Sequence, residues 1–210
     1  FIDSLRKVNK TCCIIIVCNI QNRNSKIELY LKNNKANIIY NNFKELHHDD
    51  KFIIIKDILI KYDNYKNILI SDIADVMFQN DPFVIKHNNK LYCACEQYKI
   101  NDRNVPGNTN RKWIKDYYQK FKKSYPRKLF YEKHIICCGT IFGNYNSILD
   151  YLQWYSSINY GKFRIIGQGL FNVYCRENPE KCIIIDQKYG LIFTGGCIEF
   201  NKVKLSKHNN

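Results

Sequence analysis

The sequence predicts an α/β fold: one domain, residues 1–210, with a mixed, mostly parallel sheet flanked by helices. Three observations lead there. Short runs of branched apolar residues recur along the chain, too brief for helices and apolar enough to be strands buried on both faces. A strand, helix, strand spacing near the N-terminus is that of a βαβ unit. A length of 210 residues with 45% hydrophobic content suits a single domain that buries a real core.

Cys12 to Ile20 is the first such run, ending at Asn19 and a polar turn through Ser25. Lys26 to Lys35 carries Ile27, Leu29, Tyr30 and Leu31 and fits a short helix, and Ala36 to Tyr40 is a second strand. Asp50 is a plausible N-cap for a helix to about Tyr62, with Phe52, Ile55, Leu59 and Tyr62 as its buried stripe. Asn67-Ile68-Leu69-Ile70-Ser71 is a strand, and two carboxylates, Asp72 and Asp75, follow its end. Lys90 to Glu96 is a strand and Asn101 to Asn110 a polar loop suited to moving over a site. A helix then starts at Asn110 with Trp113, Tyr117 and Phe121 on one face, and Pro126 ends it. Ile135 to Gly143 is an apolar strand running into Gly139, where a glycine lets a backbone turn or a ligand come close. Ser147 opens a helix with Ile148, Tyr151, Leu152 and Tyr155 on its apolar side. Gly167 to Asn172 begins the next helix, which stops before Pro179, and Cys182 to Ile185 and Tyr189 to Gly196 continue the sheet.

Composition narrows the function classes. The net charge of +14 invites a nucleic-acid reading. However, the lysines are scattered among Asn, Ile and Tyr along the whole chain, and Lys112 to Lys128 reads as an amphipathic helix with a solvated basic face. No nucleic-acid partner is expected. A positive field would still favour a polyanion such as a nucleoside diphosphate. Ten cysteines occur, but no Cys-x-x-Cys pair, so a structural zinc is not expected. Cys12, Cys13, Cys18, Cys137 and Cys138 lie in apolar runs as small buried hydrophobes. Cys175 and Cys182 bracket a short polar loop and are the expected disulfide pair in an oxidising compartment. One glycosylation sequon, Asn9-Lys10-Thr11, is of the kind chance supplies in an Asn-rich chain. No run is long enough to span a bilayer and no signal peptide is visible. The chain starts at Phe1 without an initiating Met, as a piece of a longer protein would. Compartment stays open: a secretory lumen such as the Golgi for a eukaryotic chain, with any anchor elsewhere, and otherwise the cytoplasm.

The chemistry concentrates after the strand at Asn67. Carboxylates beyond a strand's carboxyl end suit a hard divalent cation that leaves positions for substrate phosphates, although Asp is also common there as a turn former. The longer string, Asp72-x-x-Asp75-Val76-x-Phe78-Gln79-x-Asp81-Pro82-Phe83, resembles the metal-binding segment of GT-A-fold glycosyltransferases, the nucleotide-diphospho-sugar transferases. Their usual form is Asp-x-Asp followed by apolar residues and a proline. Counting back from Pro82, Asp75 falls on the second Asp. Ile73 stands at the first, and Asp72 sits one place early.

Two further segments resemble the family in order. Ile135 to Gly143 is similar to its apolar strand with spaced glycines, which lies against donor sugar and acceptor. Gly167-Gln168-Gly169-Leu170-Phe171-Asn172 is similar to its Asp-Gln-x-x-Phe/Leu-Asn helix start, with Gly167 where an Asp is usual. The resemblance implies a GT-A-like domain that moves a sugar from a nucleotide-sugar donor to the hydroxyl of a glycan, protein or small-molecule acceptor. It implies Mn²⁺ or Mg²⁺ held by Asp72 and Asp75, with His208 as a further ligand from the C-terminal segment. It implies Asn19, Lys56, Gly139, Thr140 and Asn172 at donor and acceptor, and Glu96 and Gln168 in catalysis. Lys51, next to Phe52, is a second basic residue able to reach a phosphate. The alternatives are a non-catalytic nucleotide-binding domain of the same fold, which Gly167 keeps open, and a nucleotidyltransferase. Asn19 to Ser25 lacks the Gly-rich phosphate loop that the latter usually shows.

Overall fold

The computed structural model describes residues 1–41, 50–63, 65–73, 76–84, 88–102, 109–158 and 167–186. In chain order the elements are α1 (Ile2–Val8), β1 (Ile14–Asn19), α2 (Ser25–Asn33), β2 (Ala36–Asn41), α3 (Asp50–Lys61), β3 (Asn67–Ser71), β4 (Leu91–Lys99), α4 (Asn110–Lys120), α5 (Arg127–Phe130), β5 (His134–Asn144), α6 (Tyr145–Ile158), α7 (Gly167–Glu177) and β6 (Cys182–Ile185). The architecture is mixed α/β, as expected. The expected segment Tyr189 to Gly196 lies outside the described residues. The chain divides into two units: Phe1–Leu91 with Gly139–Gly167, and Tyr92–Cys138 with the residues from Gln168 onward.

In the first unit β1 and β2 pair in parallel, from Ile14 opposite Ala36 to Asn19 opposite Asn41. The βαβ spacing required that direction. They form a two-stranded sheet of their own rather than part of one continuous sheet. β3 pairs antiparallel with the second half of β5, from Asn67 opposite Asn144 to Ser71 opposite Thr140. Helices α3 and α6 share an aromatic core in which Phe52 meets Tyr151 and Tyr155 edge-on, with centroids 5.6 and 5.0 Å apart. Of the stripe predicted on α3, Phe52 and Leu59 are buried, whereas Tyr62 is 41% exposed. Gly143 sits in a tight place: a Cβ there would stand 3.2 Å from the Lys90 carbonyl oxygen and 2.6 Å from Ser147 Oγ, which would have to turn away.

Helix α1 was not predicted. It has no side-chain cap and is held by tertiary contacts. Ile2 and Leu5 are buried with Ile14, Ile16, Leu31 and Ala36. The Arg6 guanidinium donates to the carbonyls of Asn34 and Cys12, both at 2.8 Å, and of Lys35 at 3.1 Å. That ties α1 to the residues that lead into β1 and into β2.

In the second unit β4 lies between β5 and β6. Helix α4 buries Asn110, Ile114, Tyr117 and Tyr118, a face rotated from the predicted one, and Phe121 is 40% exposed. It also ends well before Pro126. Lys122 N–H bonds to Gln119 O and Lys123 N–H to Tyr118 O, with Lys122 at φ 51°. This is a Schellman stop with lysine in the left-handed position that glycine usually takes. Gly169 lets α7 approach α4, since a Cβ on it would stand 2.6 Å from the Trp113 Cβ and 3.1 Å from the Trp113 carbonyl carbon.

Candidate functional site

The first unit places the start of the carboxylate segment at an open edge. The β3–β5 ladder runs one bond past its last strand residue: Asp72 N–H donates to Gly139 O at 2.9 Å. Asp72, Gly139 and Thr140 are therefore neighbours, although far apart in the chain. Lys51, in the first turn of α3, donates to Asp72 Oδ1 at 2.5 Å, and its ammonium lies 5.2 Å from the centre of the Phe52 ring. The Asp72 side chain is 47% exposed. The tail of the segment is anchored on α1. Phe78 N–H donates to Ser4 Oγ at 3.0 Å, and Phe1 meets Phe78 edge-on at 5.2 Å. Asp81 accepts from Phe83 N–H and from Asn9 Nδ2, both at 2.9 Å. The Asp-Pro-Phe end of the motif is thus a turn former docked on the helix, and the sequon asparagine is engaged in that docking.

A cavity of about 330 Å³ lies between β1 and β3 in the same unit, walled by Ile14, Ile16, Ile55 and Leu59 and reaching Lys51 and Asp72. An apolar wall with a few polar groups at one end is the usual character of a small-molecule site. A hard divalent ion takes several oxygen ligands. Among the described residues no group of three or more His, Cys, Asp or Glu side chains is placed to hold a metal ion, and Asp72 contributes one carboxylate here, already facing an ammonium. This donor set does not by itself fit Mn²⁺ or Mg²⁺. Asp75 and His208, which the resemblance adds, lie outside the described residues.

The second unit holds a different constellation, built on α7. Gln168 Oε1 accepts from the backbone N–H of Cys138 at 2.9 Å, and its Nε2 donates to Glu96 Oε1 at 2.6 Å. One turn later, Asn172 is fully buried. Its Oδ1 accepts from Ile136 N–H, and its Nδ2 donates to Ile136 O and Gln168 O, at 2.8–2.9 Å. The periods match: four helical residues rise ~6 Å and two strand residues ~6.6 Å, so amides at i and i+4 meet alternate residues of a strand. Glu96, in β4, is half-buried. Burial raises its carboxyl above the ordinary range and the Gln168 bond opposes that rise. A carboxylate with a raised pKa and a fixed partner can act as a general base near neutral pH.

Of the other predicted residues, Asn19 caps the turn after β1, accepting from Gln21 N–H at 3.1 Å. Lys56 pairs with its neighbour Asp57 at 3.3 Å. Cys13, expected in the core, is exposed, and none of the nine described cysteines is in a disulfide. Sequence reasoning passed over three features: the Lys51–Asp72 pair, the close approach at Gly169, and the double use of Asn172. An amide pair at i and i+4 on a helix is a signal that would have pointed to the last.

Among the described residues, no helix is long and apolar enough to cross a membrane. No protein-family model and no curated protein sequence matches the chain. Among solved structures the chain is similar to the crystal structure of a glycosyltransferase involved in the glycosylation of the major capsid of PBCV-1, with a TM-score of 0.44 and 16% identity over 84% of this chain and 83% of that one.

Proposed function

We propose that this chain is a glycosyltransferase that moves a sugar from a nucleotide-sugar donor to an acceptor hydroxyl. The observation that carries the reading is the Asp72 to Gly139 bond. The carboxylate segment and the glycine segment, two of the three that resemble the GT-A family, are adjacent in space, as a shared donor site requires. In the first unit, Lys51 offers a positive charge to a diphosphate, and Gly139 and Thr140 present strand backbone beside it. In the second unit, Glu96 is a candidate base for the acceptor hydroxyl, and Gln168 fixes its orientation. Mn²⁺ or Mg²⁺ belongs to the proposal on the strength of the motif: Asp72 would be one ligand, with Asp75 and His208 as the implied others. Such an ion would supply Lewis-acid stabilisation of the departing diphosphate.

Calorimetric titration of nucleoside diphosphates, with and without Mn²⁺, tests the donor half. The expected result is binding that strengthens with Mn²⁺ and weakens at least ~10-fold in Asp72→Ala. Affinity in the variant equal to that of wild type, with the ion present, would remove Asp72 from the site. A second reading, a nucleotide-binding domain without turnover, is favoured by one observation: position 167 is a glycine and carries no carboxylate.

A further inference from the structure

Three thiols meet in the core of the second unit, each from a different element: Cys93 on β4, Cys175 on α7 and Cys182 on β6. Cys93 Sγ lies 3.7 Å from Cys175 Sγ, Cys93 also donates to the carbonyl of Ile183, the residue after Cys182, at 3.6 Å, and the Cys182 thiol is near enough to help raise that of Cys175. All three are free. Cys93 and Cys175 have no solvent exposure, whereas Cys182 retains 7%.

We propose that these residues form a disulfide-exchange centre in which oxidation enters at Cys182 and settles as a Cys93–Cys175 bond. The steps balance with a small disulfide such as oxidised glutathione as the oxidant. The Cys182 thiolate attacks it, forming a mixed disulfide and releasing one glutathione thiol. Cys175 then displaces the second glutathione, which leaves as the thiol with the Cys175 proton, and a Cys175–Cys182 bond results. Finally Cys93 attacks Cys175, and its proton passes to the departing Cys182, so that two protein thiols and one small disulfide have become one protein disulfide and two small thiols. Burial raises the Cys175 thiol well above its ordinary range, which leaves the more accessible Cys182 as the first nucleophile. The exchange runs inward because Cys93 Sγ already lies 3.7 Å from Cys175 Sγ, and a bond between two thiols without solvent exposure is less open to attack by a small thiol than one that includes Cys182. The 82-residue loop that it closes constrains the unfolded chain, which is the source of the added stability. The bond would join β4, which carries Glu96, to α7, which carries Gln168. The proposal does not depend on glycosyl transfer.

The test is peptide mapping of the folded protein after incubation with oxidised glutathione and alkylation under non-reducing conditions. The expected map pairs Cys93 with Cys175, leaves Cys182 as the alkylated thiol, and accompanies a Tm rise of roughly 5 °C or more that dithiothreitol reverses. Cys182→Ser should slow formation of the bond at least ~10-fold, and Cys93→Ser should stop at Cys175–Cys182. The wild-type map stands on its own should a variant fold poorly. Recovery of all three residues as thiols, a wild-type product that remains Cys175–Cys182, or a Cys182→Ser protein that oxidises at the wild-type rate would each overturn it.

Discussion

The two halves of β5 are held in opposite ways. Residues 140–144 pair with β3 through backbone alone, whereas Ile136 and Cys138 are met by the side-chain amides of Asn172 and Gln168. A backbone ladder accepts almost any strand-forming residue, so it constrains sequence weakly. A side-chain ladder requires an amide at each position, because a buried N–H or C=O left without a partner costs its full desolvation. Helix α7 is thereby committed to a register, and its Gln168 is aimed at Glu96.

The largest effect expected from that contrast is at Asn172. Asn172→Leu should strip both partners from the backbone of Ile136 and cost about 2–4 kcal/mol in urea unfolding. A loss below ~0.5 kcal/mol would mean that water replaces the amide. Gly169→Ala pushes a methyl against Trp113 and should cost about 1–3 kcal/mol by the same assay. Gln168→Ala should cost less, about 1 kcal/mol, and have a second signature. Its bond holds the Glu96 carboxyl down against the rise caused by burial, so losing it moves the Glu96 pKa further up. If Glu96 is the base, it must be ionised to act, and the acid limb of the activity profile should shift to higher pH in this variant. An unshifted limb would separate Glu96 from the chemistry. On the ladder half, Thr140→Val should change stability by no more than ~0.5 kcal/mol.

The sign for Glu96 itself follows from the same raised pKa. The folded state favours the neutral acid, so the stabilisation from this group is complete below the unfolded carboxyl pKa and is lost as pH rises through the folded one. Glu96→Gln keeps an acceptor for Gln168 and removes that loss. It should therefore be at least as stable as wild type at neutral pH while losing turnover. A destabilised Glu96→Gln would show that the charge is needed for the fold.

Much of the fold is legible because periodicity writes it. β1, β2, β3 and β6 are short apolar runs, α6 shows its stripe at three and four residues, and each lies close to its predicted place. The misses have local causes. α1 exists because Arg6 caps carbonyls far along the chain, which no window of sequence reveals. α4 stops at a lysine in a glycine conformation, so the proline marker pointed several residues late. Gly139 sits inside one long strand, because β3 and α7 support it on successive stretches. At the site, the family resemblance singled out Gln168 and Asn172 as residues of consequence, but the same pattern serves a structural ladder equally well. Lys51 was visible only as a flanking base. Its pairing with Asp72 depends on where α3 starts relative to the end of β3.

Turnover decides the functional reading. The protein should be incubated with Mn²⁺, a panel of nucleotide sugars and glycan acceptors, following nucleoside diphosphate release in wild type, Glu96→Gln and Gly167→Asp. Acceptor-dependent release in wild type that falls ~10²-fold or more in Glu96→Gln is the outcome expected of a glycosyltransferase using this carboxylate. Tight nucleotide binding with no release in wild type, and release gained only in Gly167→Asp, would contradict it and leave a binding domain.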